Sequence, residues 1–255
     1  MNRTATESEI KIREVSGIEE FRRCIELQRE AFNLPDLEIS PLRHFIVTNN
    51  CGGFTLGAFV GGKLVGFVHH LIAVKSGEII GYSHMAAISP HFQNAGIGAK
   101  LKWAQRAKAL AEGARFIKWT FDPMQSRNAH FNLNRLGATV RSYAENYYGT
   151  DYTTTSEKFG EPLGIDSDRL FADWRLDSER VKVFERGEMP ADLGEPVQIV
   201  EIPMNWSELV RNEPEQASAE QLRVRREFQN AFAENLICAK FERGKESSKY
   251  LLYKS

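Results

Sequence analysis

The stretch Gln93-Asn94-Ala95-Gly96-Ile97-Gly98-Ala99 constrains the fold more than any other in this 255-residue chain. Before it, residues 82–90 read YSHMAAISP, a strand closed by a proline that cannot extend a hydrogen-bond ladder. After it, Ile97, Leu101, Ala104, Lys108 and Ala111 recur at helical spacing, with Trp103, Ala107 and Leu110 beside them. A strand, a tight glycine turn and a helix follow one another, so the turn opens a helix N-terminus. The first backbone N–H groups there have no partner within the helix, and the helix dipole favours negative charge. Gly96 and Gly98 carry no Cβ to hold an anion away. The stretch predicts a phosphate site, of neither the three-glycine dinucleotide type nor the P-loop type.

A composition of 42% hydrophobic and 26% charged residues is that of an ordinary globular protein with a sizeable core. The net charge of −1 gives nucleic acid or an anionic membrane no reason to be the main partner. No apolar run is long enough to span a bilayer, and the first residues lack a signal-peptide core. Cys24, Cys51 and Cys238 are odd in number and widely spaced, which predicts reduced packing residues in a cytoplasmic protein and no metal site.

In chain order, residues 1–8 read as a tail and residues 10–15 as a half-buried strand. Ser16 caps a helix, with Glu19 at the capping-box position and Ile18, Phe21, Ile25 and Phe32 inward. Residues 33–36 break it, and a second helix follows the Ser40 cap over 41–48. Residues 54–60 and 63–74 form a hairpin around Gly61-Gly62, and 79–89 is a third strand. Beyond the glycine-loop helix, Phe116–Phe121 is a strand that a crossover would set parallel to 82–89. Strands at 139–143 and 170–176 flank a long polar loop over 146–168. From residue 178 the composition changes. A strand at 197–203, a helix at 219–235 and a hairpin of 236–241 with 249–253 form a β-α-β-β extension. On that helix Leu222, Phe228, Ala231 and Phe232 point inward, and Arg223, Arg225 and Arg226 point to solvent.

The glycine loop, the Ile88-Ser89-Pro90 strand end and residues 126–138 together resemble the GNAT superfamily of acyl-CoA-dependent N-acyltransferases. Its loop is Gln/Arg-x-x-Gly-x-Gly/Ala. Ala129, Leu136 and Gly137 also fall in register with its second helix. The segments TFDP (120–123), RNAHFN (127–132), NYYG (146–149) and SDR (167–169) are similar to a subgroup of about this chain length. The resemblance implies an α/β (α+β) fold with a mixed, mostly antiparallel central sheet flanked by helices. It implies a core over 9–177 with the extension 178–255 packed on it. It also implies that acetyl-CoA, or another acyl-CoA, contacts Ala87, Ile88, Gln93, Asn94, Ala95, Gly96, Ile97, Gly98, Ala99, Ser126, Asn128 and Phe131. Leu133 stands where many members carry a tyrosine that protonates the departing thiolate, and leucine has no proton to give.

Amine acylation needs a neutral amine, a bound thioester carbonyl and a released thiolate. His84 lies four residues before Ile88, where many GNAT members have a glutamate base, and histidine titrates near neutrality. Strand alternation sets it with Ala86 and Ile88, and lets only one of His69 and His70 join it. A buried structural histidine is the other reading. Tyr147 and Tyr148 are the replacement acids, and Arg169 with Asp168 either grips a charged substrate group or forms a surface turn pair. The expectation is direct transfer to a small-molecule amine. The alternative is a GNAT-fold sensor or scaffold that binds acyl-CoA without turnover, and a homodimer stays open.

Overall fold

The computed structural model describes residues 10–32, 36–75, 77–151, 164–188 and 190–255. The tail at 1–8, most of the helix break at 33–36 and the middle of the 146–168 loop lie outside the described residues. The chain divides into two compact units, residues 1–117 and 118–255.

The first unit runs β1 (Ile10–Glu14), α1 (Gly17–Phe32), α2 (Leu42–Asn50), β2 (Phe54–Val60), β3 (Lys63–Lys75), β4 (Glu78–Ile88) and α3 (Ile97–Ala111). Its strands pair in order β1-β2-β3-β4, every pairing antiparallel. Gly61 and Gly62 both take positive φ, at 55° and 80°, which is the two-residue turn whose twist suits a hairpin. Against one sheet face α1 and α2 bury Phe21, Cys24, Leu27 and Phe45 on Phe59, Leu64, Phe67 and Ala87. Capping of α1 differs from expectation. Glu20 rather than Glu19 reaches back to the Ser16 N–H, at 2.9 Å, and also pairs with Arg13. Ile18 and Phe32 are exposed, so the buried stripe is Phe21, Cys24, Leu27 and Gln28.

β5 (Phe116–Phe121) bridges the division in sequence. The second unit continues with α4 (Ser126–His130), a π-helical turn over Phe131–Arg135, β6 (Thr139–Ala144), β7 (Thr150–Asp151), β8 (Ile165–Asp166) and β9 (Arg169–Arg175). It ends with α5 (Glu179–Glu185), β10 (Gln198–Pro203), α6 (Trp206–Asn212), α7 (Pro214–Ala233), β11 (Leu236–Arg243) and β12 (Ser247–Lys254). Strands β9, β6, β11, β12 and β10 are neighbours in that order, and their pairings are antiparallel. The extension therefore contributes its strands to the sheet that β6 and β9 belong to. It contains α5 and α6, which the β-α-β-β reading lacked because each is only 7 residues long, too short to display a helical period.

Two further expectations are corrected in this unit. Arg225 faces inward: its side chain is 12% exposed and its guanidinium bonds Asp168 and Asp166 at 2.7–2.8 Å. Leu222, by contrast, is exposed, which rotates the apolar stripe of α7 toward Val224 and Phe228. Cys24 and Cys238 are buried packing residues, but Cys51 is exposed at the end of α2.

Candidate active site

The glycine loop is built as its residues require. Asn94 and Gly96 take left-handed φ values of 65° and 74°. Glycine suits that conformation without strain, and asparagine is the side chain that tolerates it best. Gly96, the N-cap of the 15-residue α3, has no side chain with which to cap the helix itself. A Cβ placed on Gly96 meets nothing within 4 Å, so the space before the loop is open. Ile97 is buried and anchors the helix start, which leaves its backbone rather than its side chain for a ligand. Asn94 and Gly96 are exposed; Gln93, Ala95, Gly98 and Ala99 are half-buried. Gln93 Nε2 donates to the Ile88 carbonyl at 3.4 Å, tying the loop to the end of β4. Ala87 is buried and Ile88 half-buried there.

His84 stands at an irregularity in β4. His69 pairs with Met85 but His70 pairs with Ser83, so His84 is the extra residue of a bulge. A bulge breaks the two-residue alternation and re-aims a side chain. His84 therefore does not share the face of Ala86 and Ile88. It turns toward α2, where its ring centroid lies 5.1 Å from that of His44 and 6.1 Å from that of His69. His44 and His69 are themselves 5.1 Å apart. Ser40 does not cap α2, whose N-cap is Pro41. Instead Gln28, buried in α1, bonds both the Ser40 N–H (2.9 Å) and its carbonyl (3.3 Å). That clamp sets the Ser40 hydroxyl 3.4 Å from His84 Nε2. Burial and the neighbouring His44 lower the His84 pKa, which favours the neutral ring. His44 was not among the sequence candidates, because three histidines on three separate elements leave no spacing to read.

His70 points to the other sheet face, toward α3. Gln105 Nε2 donates to His70 Nδ1 at 3.1 Å, while Gln105 Oε1 accepts from Lys102 (2.8 Å) and Ser83 (3.2 Å). The inward side of α3 is thus Ile97, Leu101, Lys102, Gln105, Arg106 and Ala109, whereas Ala107 and Ala111 are exposed. A buried polar network replaces the expected apolar stripe. Burial pushes the Lys102 ammonium well below its usual range.

In the second unit, Tyr147 and Tyr148 are exposed, their rings edge-to-face at 4.7 Å. Tyr148 exchanges a 2.9 Å hydrogen bond with Thr120 Oγ1, and the Arg169 guanidinium lies 5.2 Å from its ring centre. Arg169 also donates to the Asp168 carbonyl. Asp168 is not a surface residue: it is 1% exposed and bonds Tyr143, the Asn146 N–H and Arg225. Ser126 opens α4 and bonds Ser248 at 3.2 Å; Asn128 is exposed and Phe131 half-buried. Leu133 is fully buried in the π-helical turn and can act on no thiolate. Among the described residues no group of three His, Cys, Asp or Glu side chains could hold a metal ion, and no helix is long and apolar enough to cross a membrane.

The order of strands in the first unit, with the glycine loop opening α3, is the arrangement that the family resemblance implies. Residues 19–137 match the Acetyltransferase (GNAT) family, and this stretch is a GNAT acetyltransferase domain. No curated protein matches the chain. Among solved structures, an N-acetyltransferase from Staphylococcus aureus Mu50 is 12% identical, with a TM-score of 0.52 over 66% of this chain and 99% of that one. The yncA structure from Salmonella typhimurium, solved with its cofactor acetyl-CoA, is 15% identical, with a TM-score of 0.52 over 67% and 96%. The ribosomal-protein-S18-alanine N-acetyltransferase of Escherichia coli is 11% identical, with a TM-score of 0.50 over 72% and 97%. At these identities the likeness is one of fold.

Proposed function

We propose that the chain is an acyl-CoA-dependent N-acyltransferase, with acetyl-CoA the expected donor, that acylates the amine of a small molecule by direct transfer. The observation that carries this reading is the turn before α3. Asn94 and Gly96 bend the backbone left-handed at the N-terminus of α3, whose N-cap is a glycine, within the residues that match the family. That N-terminus suits a pyrophosphate through its N–H groups and dipole. By the family resemblance Gln93 to Ala99, with the backbone of Ala87 and Ile88, holds the donor, and Ser126, Asn128 and Phe131 add to it.

When bound, the donor supplies an activated thioester carbonyl. His84 takes one proton from the acceptor ammonium, and the neutral amine then attacks: the C–N bond forms, the C–S bond breaks with its electron pair going to sulfur, and the second nitrogen proton passes to the thiolate. A thiol with an ordinary pKa of about 8.5 is a fair leaving group near neutral pH, so Leu133 need not be replaced for turnover. Tyr148 and Tyr147 are the proposed proton donors where one is used, and Arg169 the proposed grip on an acidic group of the acceptor.

Thermal unfolding with acetyl-CoA tests the donor site. Ligand at a hundred times its dissociation constant stabilises a fold by about 2.7 kcal/mol. For a chain of this size that is a rise of about 5–10 °C. Gly98→Glu places bulk and negative charge at the loop and should abolish the rise. An equal rise in the folded variant would remove the loop from the account.

A further inference from the structure

Three imidazoles from three elements meet on one face of the first unit's sheet, with no acidic side chain bonded to any of them among the described residues. What faces them is Ser40 before α2, Phe45 on α2 and Thr55 on β2. His70, the remaining charge-bearing neighbour, lies on the opposite face. Thr55 fixes one tautomer. Its hydroxyl donates to Asn49 Oδ1 at 3.1 Å and so accepts from His69 Nδ1–H at 2.8 Å. Nε2 of His69 is left as a bare lone pair, buried and without a partner. Nε2 of His44 is buried and unpartnered in the same way. Orphaned ring nitrogens in a native interior call for an explanation.

We propose that His44 and His84 act as one proton-accepting unit, with His44 the exit for the proton that His84 takes from the acceptor ammonium. The proposal rests on the acyltransferase reading of this site. An ammonium N–H bond breaks as an N–H bond forms on His84. An N–H bond of His84 then breaks as one forms at His44, and His44 releases a proton to water, which returns both rings to neutrality. The His44 and His84 ring centroids lie 5.1 Å apart with their planes tilted by 60°. His44 on α2 and His84 on β4 are both half-buried. His69, with its Nδ1–H given to Thr55, offers the shared charge a lone pair and no competing proton. Burial disfavours a charge on either ring, and a charge on His44 further disfavours one on His84.

The decisive experiment follows the histidine side-chain nitrogens of the full chain by NMR between about pH 4 and 8, in wild type and in His44→Gln. In wild type the His44 and His84 signals should move together as the pair takes up one proton. In His44→Gln, His84 should titrate alone, its midpoint moved upward because the repulsion from His44 is gone. An identical His84 titration in the two proteins would overturn the proposal. So would zinc, added alone at equimolar amount, abolishing the shared titration, since that would make the cluster a metal site. Thiol release from acetyl-CoA with a panel of primary amines supplies the kinetic arm. His44→Gln should lower kcat about tenfold with KM nearly unchanged, and added imidazole should restore part of it. Unchanged kcat in the variant refutes the exit role. Absence of thiol release in wild type refutes the acyltransferase reading instead, and the NMR titration still decides whether the rings share a proton.

Discussion

Acidification should destabilise this protein, and the cause lies in two adjacent residues of β3. His69 and His70 are fully buried on opposite sheet faces, and burial lowers both pKa values to about 3, with repulsion from His44 and from Lys102 adding to the two in turn. In the unfolded chain both return to about 6.5. Their neutral forms favour the folded state fully above that value, and the contribution is lost as pH falls from about 6.5 toward 3. At a pH of about 5 the unfolded chain protonates each ring and the folded chain protonates neither. The difference spans about 1.5 units, or about 2 kcal/mol per ring and about 4 kcal/mol together. That is a large part of a typical folding stability of roughly 5–15 kcal/mol. Urea unfolding at a pH of about 8 and about 5 measures the loss, and His70→Gln, which can keep a hydrogen bond to Gln105, should remove close to half of it. Equal stability at the two pH values, or an undiminished loss in His70→Gln, would refute the reasoning.

Two further outcomes rest on other parts of the first unit and on the thiols. A Cβ at Gly81 would sit 2.2 Å from the His70 ring and 2.9 Å from Ile117, so Gly81→Ala should lower stability by about 1–3 kcal/mol in urea unfolding. An unaffected midpoint would show that the ring has room to shift. Burial raises the Cys24 thiol to about 12 and pushes the Cys238 thiol up as well, whereas Cys51 is exposed. The native protein should therefore react with a thiol reagent at one site, Cys51, and at three sites in denaturant; fast native labelling of Cys24 would contradict the packing described for α1.

Features fixed by local chemistry were legible in the sequence. The Gly61-Gly62 turn and the glycine loop before α3 each require backbone conformations that few residues adopt, so the residue type announces the geometry. Features fixed by tertiary packing were not. The bulge that turns His84 toward α2 has no signature in the run Ser83-His84-Met85, because strand periodicity assumes an unbroken ladder. The inward face of α3 was misread since Lys102, Gln105 and Arg106 count as solvent-facing by type, yet Ser83 and His70 provide partners for a buried network. Arg225 was misread for the same reason: the carboxylates of Asp166 and Asp168 that draw it inward lie 57–59 residues away in the chain. Ser40 was read as a helix cap from its position before α2, and only the clamp from Gln28 reveals that its hydroxyl serves His84.

The central claim is that acetyl-CoA bound at the loop before α3 gives up its acyl group to an amine. The most direct measurement is thiol release from acetyl-CoA with a panel of primary amines, together with mass detection of the acylated product, for wild type and Gly98→Glu. The account predicts amine-dependent thiol release matched by amide formation in wild type, and neither in the variant. Acetyl-CoA binding by wild type with no thiol release from any amine would contradict it and leave a GNAT-fold protein that binds its ligand without turnover.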